Sequence, residues 1–183
     1  VVVMGMGAAG MVAAKTAADN GAKVVIVEKC EEGKAGGNTK VCGQLFAYAN
    51  GDKDAAKSYY TALAGGRDIE PEIIDAISEG VANMADILAD EFGFNKDEYM
   101  DWTGVNVGGT NMGAMSPEYP EMPGHEKMAL WTTHAGASDG YLYQGLKQNV
   151  TDRVDAIDVW YSSPAKSLIQ DPVTKTVVGV TVE

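Results

Sequence analysis

The chain has 183 residues, 45% hydrophobic and 22% charged, which excludes wholesale disorder and sets the size at one domain or one and a fraction. Lys plus Arg number 14 against 26 Asp plus Glu, a formal net charge of −12, and so acidic a surface repels phosphate backbones and anionic lipid. Nucleic acid and membrane are therefore not expected partners; the 22 glycines, with no collagen period, serve turns and close backbone approaches.

In chain order, Val1 to Met4 is a short apolar, β-branched run that predicts a strand. A glycine-rich turn follows, then an alanine-rich stretch, Met11 to Ala18, with strong helix propensity and a stop at Asn20-Gly21. Val24-Val25-Ile26-Val27 is continuously apolar, as suits a parallel strand covered on both faces. Strand, helix and strand within thirty residues make a βαβ unit. Residues 29–49 read as glycine-punctuated loop. Residues 54–64 and 71–92 read as helices, the second with an apolar stripe of Ile73, Ile77, Val81, Met84, Leu88 and Phe92, Pro71 in its first turn and Gly93 at its stop. Residues 102–137 hold Gly108-Gly109, Gly113, Pro117, Pro120, Pro123 and Gly124 with four methionines, and read as a long functional loop. Ser138 or Asp139 caps a third helix bearing Leu142, Leu146 and Val150. Val159–Tyr161, Ala165–Ile169 and Val177–Val182 read as strands, with Asp171-Pro172 in the last turn. Val1 to Ala14 is too short to span a bilayer and has no basic leader flank. The chain opens inside an apolar run without an initiator Met and stops within a strand-like alternation, the pattern expected of a piece of a longer protein.

Gly5-Met6-Gly7-Ala8-Ala9-Gly10 carries the clearest chemistry. It lies between a strand and a helix, where a G-x-G-x-x-G turn binds a dinucleotide. Gly5 permits the tight turn, Gly7 lets a pyrophosphate approach the backbone, and Gly10 allows close helix–strand packing. The helix N-terminus offers unpaired N–H groups and a positive dipole end to the anion. Glu28, 18 residues past Gly10, is placed to accept hydrogen bonds from a ribose, and its charge disfavours a 2′-phosphate. Gly36-Gly37-Asn38-Thr39 adds a glycine pair over which a ligand can lie, with two hydrogen-bonding side chains.

These runs, with Val27-Glu28-Lys29 and Lys40, resemble the FAD-binding domain of the fumarate reductase and succinate dehydrogenase flavoprotein superfamily. The likeness is to its soluble branch, with urocanate reductases and 3-oxosteroid dehydrogenases. Weaker echoes, Ala64-Gly65-Gly66-Arg67 and Ser163-Pro164-Ala165-Lys166-Ser167-Leu168-Ile169, extend it over most of the chain. The resemblance implies an α/β, doubly wound (Rossmann-like) FAD-binding domain, incomplete, with a helical insert. Residues 1–49 would be the βαβ unit and flavin loop, 50–101 the helical segment, 102–137 the loop-rich substrate side and 138–183 a helix and β-ribbon. The capping domain with its catalytic arginines, and the last strand of the FAD domain, would lie beyond Glu183. Gly5, Gly7, Ala8, Ala9 and Gly10 would hold the pyrophosphate, and Glu28 and Lys29 the ribose end. Gly36, Gly37, Asn38, Thr39, Gly43 and Gln44 would run under the flavin side, and Ala165 would meet adenine. The family often has glycine where Gln44 stands. Its membrane-bound branch carries a flavin-linking histidine near the place of Asn38, which cannot form that bond, so FAD is expected to be non-covalent.

The implied activity is hydride transfer between flavin and a double bond conjugated to a carboxylate or carbonyl; the alternative is an FAD-binding module inert by itself. The implied partners are a small-molecule substrate and an electron donor or acceptor. The implied compartment is cytoplasmic, with export open if a leader precedes Val1. An NAD-dependent enzyme is disfavoured by Gly36-Gly37-Asn38-Thr39. His125 and His134 read as hydrogen-bonded loop histidines, with contact to substrate or flavin as the sharper alternative. The methionines read as core packing, Cys30 and Cys42 as ordinary thiols, and no metal site is expected.

Overall fold

A computed structural model of the chain describes residues 1–103, 106–107, 110–111, 119–136 and 139–183. The helices are α1 (Ala8–Asp19), α2 (Gly37–Val41), α3 (Lys53–Leu63), α4 (Pro71–Phe92) and α5 (Tyr141–Thr151). The strands are β1 (Val2–Met4), β2 (Val24–Val27), β3 (Phe46–Tyr48), β4 (Met100–Asp101), β5 (Asn106–Val107), β6 (Thr110–Asn111), β7 (Ala129–Thr132), β8 (Ile157–Trp160), β9 (Ala165–Gln170) and β10 (Val177–Val182). The chain forms two compact units, Val1–Cys42 with Ser138–Glu183, and Gly43–Ala137.

The first unit is built on a parallel sheet in the order β1-β2-β8. The central strand β2 buries Val24, Ile26 and Val27, as its unbroken apolar run requires. β1 has β2 as its one described neighbour and leaves Val2 and Met4 exposed. α1 packs on β1, β2 and α5, turning Met11 and Ala14 inward, while α5 buries Leu142, Leu146 and Val150. Its predicted cap is refined: Gly140, at φ +78°, is the N-cap, and the Asp139 carboxylate accepts from the Tyr141 N–H at 3.1 Å. Ser138 lies outside the described residues. β9 and β10 form an antiparallel ribbon; in its turn the Asp171 carboxylate accepts from the Val173 and Thr174 N–H groups.

An ion cluster missed by the periodicity closes this unit. Arg153 donates to Asp19 at 2.6 and 3.1 Å, and the largely buried Lys15 donates to the same carboxylate at 2.8 Å.

In the second unit α3 packs on α4. The predicted α4 stripe is corrected at its start: Ile73 and Ile77 are exposed, and Ile74, Ser78, Val81, Ala82, Ala85, Leu88 and Phe92 are buried. The buried face is thus shifted by one residue in the first turns, to Ile74 and Ser78 in place of Ile73 and Ile77. Ser78 fits there because its hydroxyl donates back to the Ile74 carbonyl at 2.7 Å.

Residues 29–49 are more ordered than a loop: a 3₁₀ turn at Glu32–Lys34, then α2, then β3. β3 belongs to a three-stranded antiparallel sheet, β3-β7-β4, in which Phe46 pairs with Trp131. β7 falls within the segment expected to be loop. Its partner lies far away in sequence, so no local pattern announces it. Met128 is core and Met122 packs against that core. Met112, Met115, Gly108, Gly109, Gly113 and Pro117 lie outside the described residues. Among the described residues no helix is long and apolar enough to cross a membrane, and no cluster suits a metal ion.

Candidate functional site

The sheet of the first unit opens onto a cavity of about 400 Å³ at the carboxyl ends of β1 and β2. Its lining comes from distant segments: Met4, Gly5, Met6 and Gly7 at and just past the end of β1, Val27, Glu28, Lys29 and Cys30 at and just past the end of β2, Gly37 in α2, and Pro164 and Ala165 at the start of β9. Open parallel sheets bind ligands at this end, because the strand-to-helix turns present backbone N–H groups there. Six residues singled out from sequence, Gly5, Gly7, Glu28, Lys29, Gly37 and Ala165, meet on this one surface.

The glycines of the first turn have separate reasons to be glycine. Gly5 sits at φ +92°, in the left-handed region where a side chain is strained. A Cβ on Gly10 would lie 2.0 Å from the Gly5 carbonyl oxygen, so the helix reaches the turn only without one. Gly7 differs. It is the N-cap of α1 with φ −82° and ψ −177°, extended backbone open to any residue. A Cβ there would meet nothing nearer than the Thr39 hydroxyl at 3.6 Å. The fold alone does not demand glycine at position 7, which lies on the cavity surface.

Glu28 is buried just past the end of β2. One carboxylate oxygen accepts from the Met6 N–H and the other from the Cys30 N–H, each at 2.8 Å. Burial pushes its carboxyl up, but the backbone donors of Cys30 and Met6, with the Cys30 thiol and the Lys29 charge, outweigh it, and the net direction is down. The Cys30 thiol adds a third hydrogen bond, and the carboxylate keeps acceptor capacity for a further hydroxyl donor. Glu28 therefore clamps the glycine turn as well as facing the cavity.

Thr39 also has a role that the sequence did not reveal. Its hydroxyl accepts from the Ala8 N–H at 2.9 Å, at the first residue of α1, across 31 positions. Gly36 is doubly required: φ is +119°, and a Cβ would lie 2.6 Å from the Tyr143 ring of α5. Asn38, Ala9 and Lys29 are exposed, and Ala8 and Thr39 are half-buried. Gly43 and Gln44 belong to the second unit. Gln44 is fully buried at φ +64°, the conformation that favours glycine. His125 Nδ1 lies 3.0 Å from the Met122 carbonyl, the ordinary loop hydrogen bond expected of it. Met6, Cys30 and Pro164 of the cavity wall were not singled out; their only signal is adjacency to Gly5, Glu28 and Ala165.

Known proteins resemble this chain over most of its length. The profile of the family described as FAD binding domain matches residues 1–183. An NADH:fumarate oxidoreductase of Klebsiella pneumoniae (strain 342) is 28% identical over 179 residues, covering 92% of this chain and 17% of that protein. The chain therefore spans a small part of the curated relative it matches. A 3-ketosteroid delta1-dehydrogenase from Sterolibacterium denitrificans, solved in complex with 1,4-androstadiene-3,17-dione, has a TM-score of 0.75 at 18% identity, over 99% of this chain and 43% of that one. The Mycobacterium smegmatis Sdh1 complex in the apo form has a TM-score of 0.64 at 20% identity, over 99% of this chain and 30% of that one. At these identities the solved structures show the fold.

Proposed function

The chain belongs to the FAD-binding domain family of the fumarate reductase and succinate dehydrogenase flavoproteins, and from that premise we propose that the cavity at the ends of β1 and β2 holds the adenosine-pyrophosphate half of FAD. The observation that carries this is the meeting of Gly5, Gly7, Glu28, Lys29, Gly37 and Ala165 on one surface. The residues fit such a group. Position 7 lacks a side chain that the fold itself would tolerate, which leaves room for a phosphate against the backbone. Ala9 and Gly10 carry first-turn N–H groups of the kind an α-helix leaves without an intrahelical acceptor, at its positive dipole end. The Glu28 carboxylate supplies acceptors for ribose hydroxyls, and Ala165 supplies backbone to adenine. Gly36, Gly37 and Asn38 lead the cofactor onward. Asn38 cannot bond covalently to the flavin, so the cofactor is held by these contacts alone.

When bound, FAD supplies the redox chemistry, hydride exchange with a double bond conjugated to a carboxylate or carbonyl. This chain's residues bind and orient; the substrate is a small molecule and the second partner an electron carrier, classes supported by the name of the curated relative. The test is FAD titration of the purified protein, wild type against Gly7→Ala, followed by turnover of enoates, fumarate first. Binding without turnover of any enoate by the whole FAD-loaded protein would leave the site and remove the reaction class.

A further inference from the structure

We propose that Thr39 is a positioning residue: its hydroxyl is the missing N-cap of α1, and it holds the pyrophosphate-facing turn in shape before any cofactor arrives. The inference rests on the cofactor site proposed above and deepens it. α1 begins after Gly7, which has no side chain and makes no cap hydrogen bond. A helix start usually carries Ser, Thr, Asp or Asn at that position, whose oxygen accepts one of the first free N–H groups. The proposed pyrophosphate leaves no room for a side chain at position 7, so the cap has to come from elsewhere. Thr39 supplies it, accepting from Ala8 at 2.9 Å.

The hydroxyl is held in place for this. Thr39 lies in α2, which follows directly on Gly36, and Gly36 is wedged under the Tyr143 ring of α5. Lys40, the next residue, places its ammonium 5.8 Å from the centre of the same ring. The opposite side of the turn is fixed by the Glu28 carboxylate on the Met6 N–H at 2.8 Å. Two side chains from separate segments therefore hold alternate N–H groups of the turn, Met6 and Ala8, on either side of Gly7. Thr39 acts at the pyrophosphate end through the helix, which differs from a direct role under the flavin.

The experiment uses the whole protein stripped of flavin, as wild type, Thr39→Val and Thr39→Ser, titrated with FAD, ADP and adenosine. Valine keeps the shape and removes the acceptor; serine keeps the acceptor. Thr39→Val is expected to weaken FAD and ADP by the same factor, about fivefold for a lost cap, and to leave adenosine unchanged. Thr39→Ser is expected to restore both. Hydrogen exchange of the flavin-free protein should speed up over residues 7–11 in Thr39→Val alone. Loss of FAD affinity with ADP unchanged would overturn the proposal and place Thr39 against the flavin. Unchanged exchange over residues 7–11 would overturn it as well. Failure of the wild type to bind either FAD or ADP would instead refute the cofactor site, and this inference with it.

Discussion

Replacing Gly7 with alanine adds one methyl group at a position where the fold is indifferent and the proposed ligand is not. The backbone there is extended, φ −82°, and the new Cβ would find the Thr39 hydroxyl at 3.6 Å and the Gly36 carbonyl at 3.9 Å, ordinary contact distances. Two small effects on stability oppose each other. Alanine is a poorer N-cap than glycine, and it also reduces the entropy of the unfolded chain by about 0.4–1 kcal/mol. The melting temperature should therefore stay within about 2–4 °C of wild type, the shift that 1 kcal/mol produces at this size. Binding should respond very differently. A methyl group on the cavity wall holds the phosphates off the turn and removes about two charge-assisted hydrogen bonds, each worth about 1.5–3 kcal/mol. That is a loss of roughly 10²- to 10⁴-fold in FAD affinity. Gly10→Ala is the contrasting variant: its Cβ would lie 2.0 Å from the Gly5 carbonyl oxygen, so it should lower the melting temperature itself. The assays are thermal unfolding without cofactor and flavin fluorescence titration. Wild-type FAD affinity in Gly7→Ala would refute the placement of the pyrophosphate. A collapse of its stability would refute the claim that only the ligand requires glycine.

Glu28→Gln should be damaging although glutamine still bonds a ribose, because one of the two N–H groups it now accepts from, the buried one of Met6 or the half-buried one of Cys30, would face an amide NH₂. A loss of about 1–3 kcal/mol is expected in the cofactor-free melt, and stability equal to wild type would show that Glu28 serves the ribose alone. The Asp19 carboxyl is held down at about 2, from an ordinary 3.8, by the Arg153 guanidinium first and then by Lys15. A carboxyl depressed in the folded state contributes stability that is complete above about pH 4 and disappears as pH falls through about 2. The wild-type melting temperature should thus fall more steeply than that of Asp19→Asn between pH 4 and 2; parallel curves would show that the cluster contributes nothing. Flavin should leave the protein intact on acid precipitation, and colour remaining on the denatured chain would refute non-covalent binding.

The βαβ unit was legible in the sequence because its information is local. The run Val24–Val27 encodes a buried central strand, and Pro71 and Gly93 mark α4 to the residue, since a proline at the start and a left-handed glycine at the stop act on their own backbone. The tight turn at Gly5 followed from the motif for the same reason. Tertiary structure decided what depends on partners far along the chain. β3 and β7 are short and become strands only by pairing Phe46 with Trp131. The inward face of α4 depends on what packs against it, and Ile74 and Ser78 lie inside while Ile73 and Ile77 lie outside. Glu28 looked like a ribose acceptor and is also a clamp on Met6. Thr39 looked like a loop hydroxyl and is the cap of a helix that starts 31 residues earlier. A hydrogen bond between such distant residues leaves no periodicity or spacing in the sequence; it exists only once the sheet and α5 have brought the two loops together.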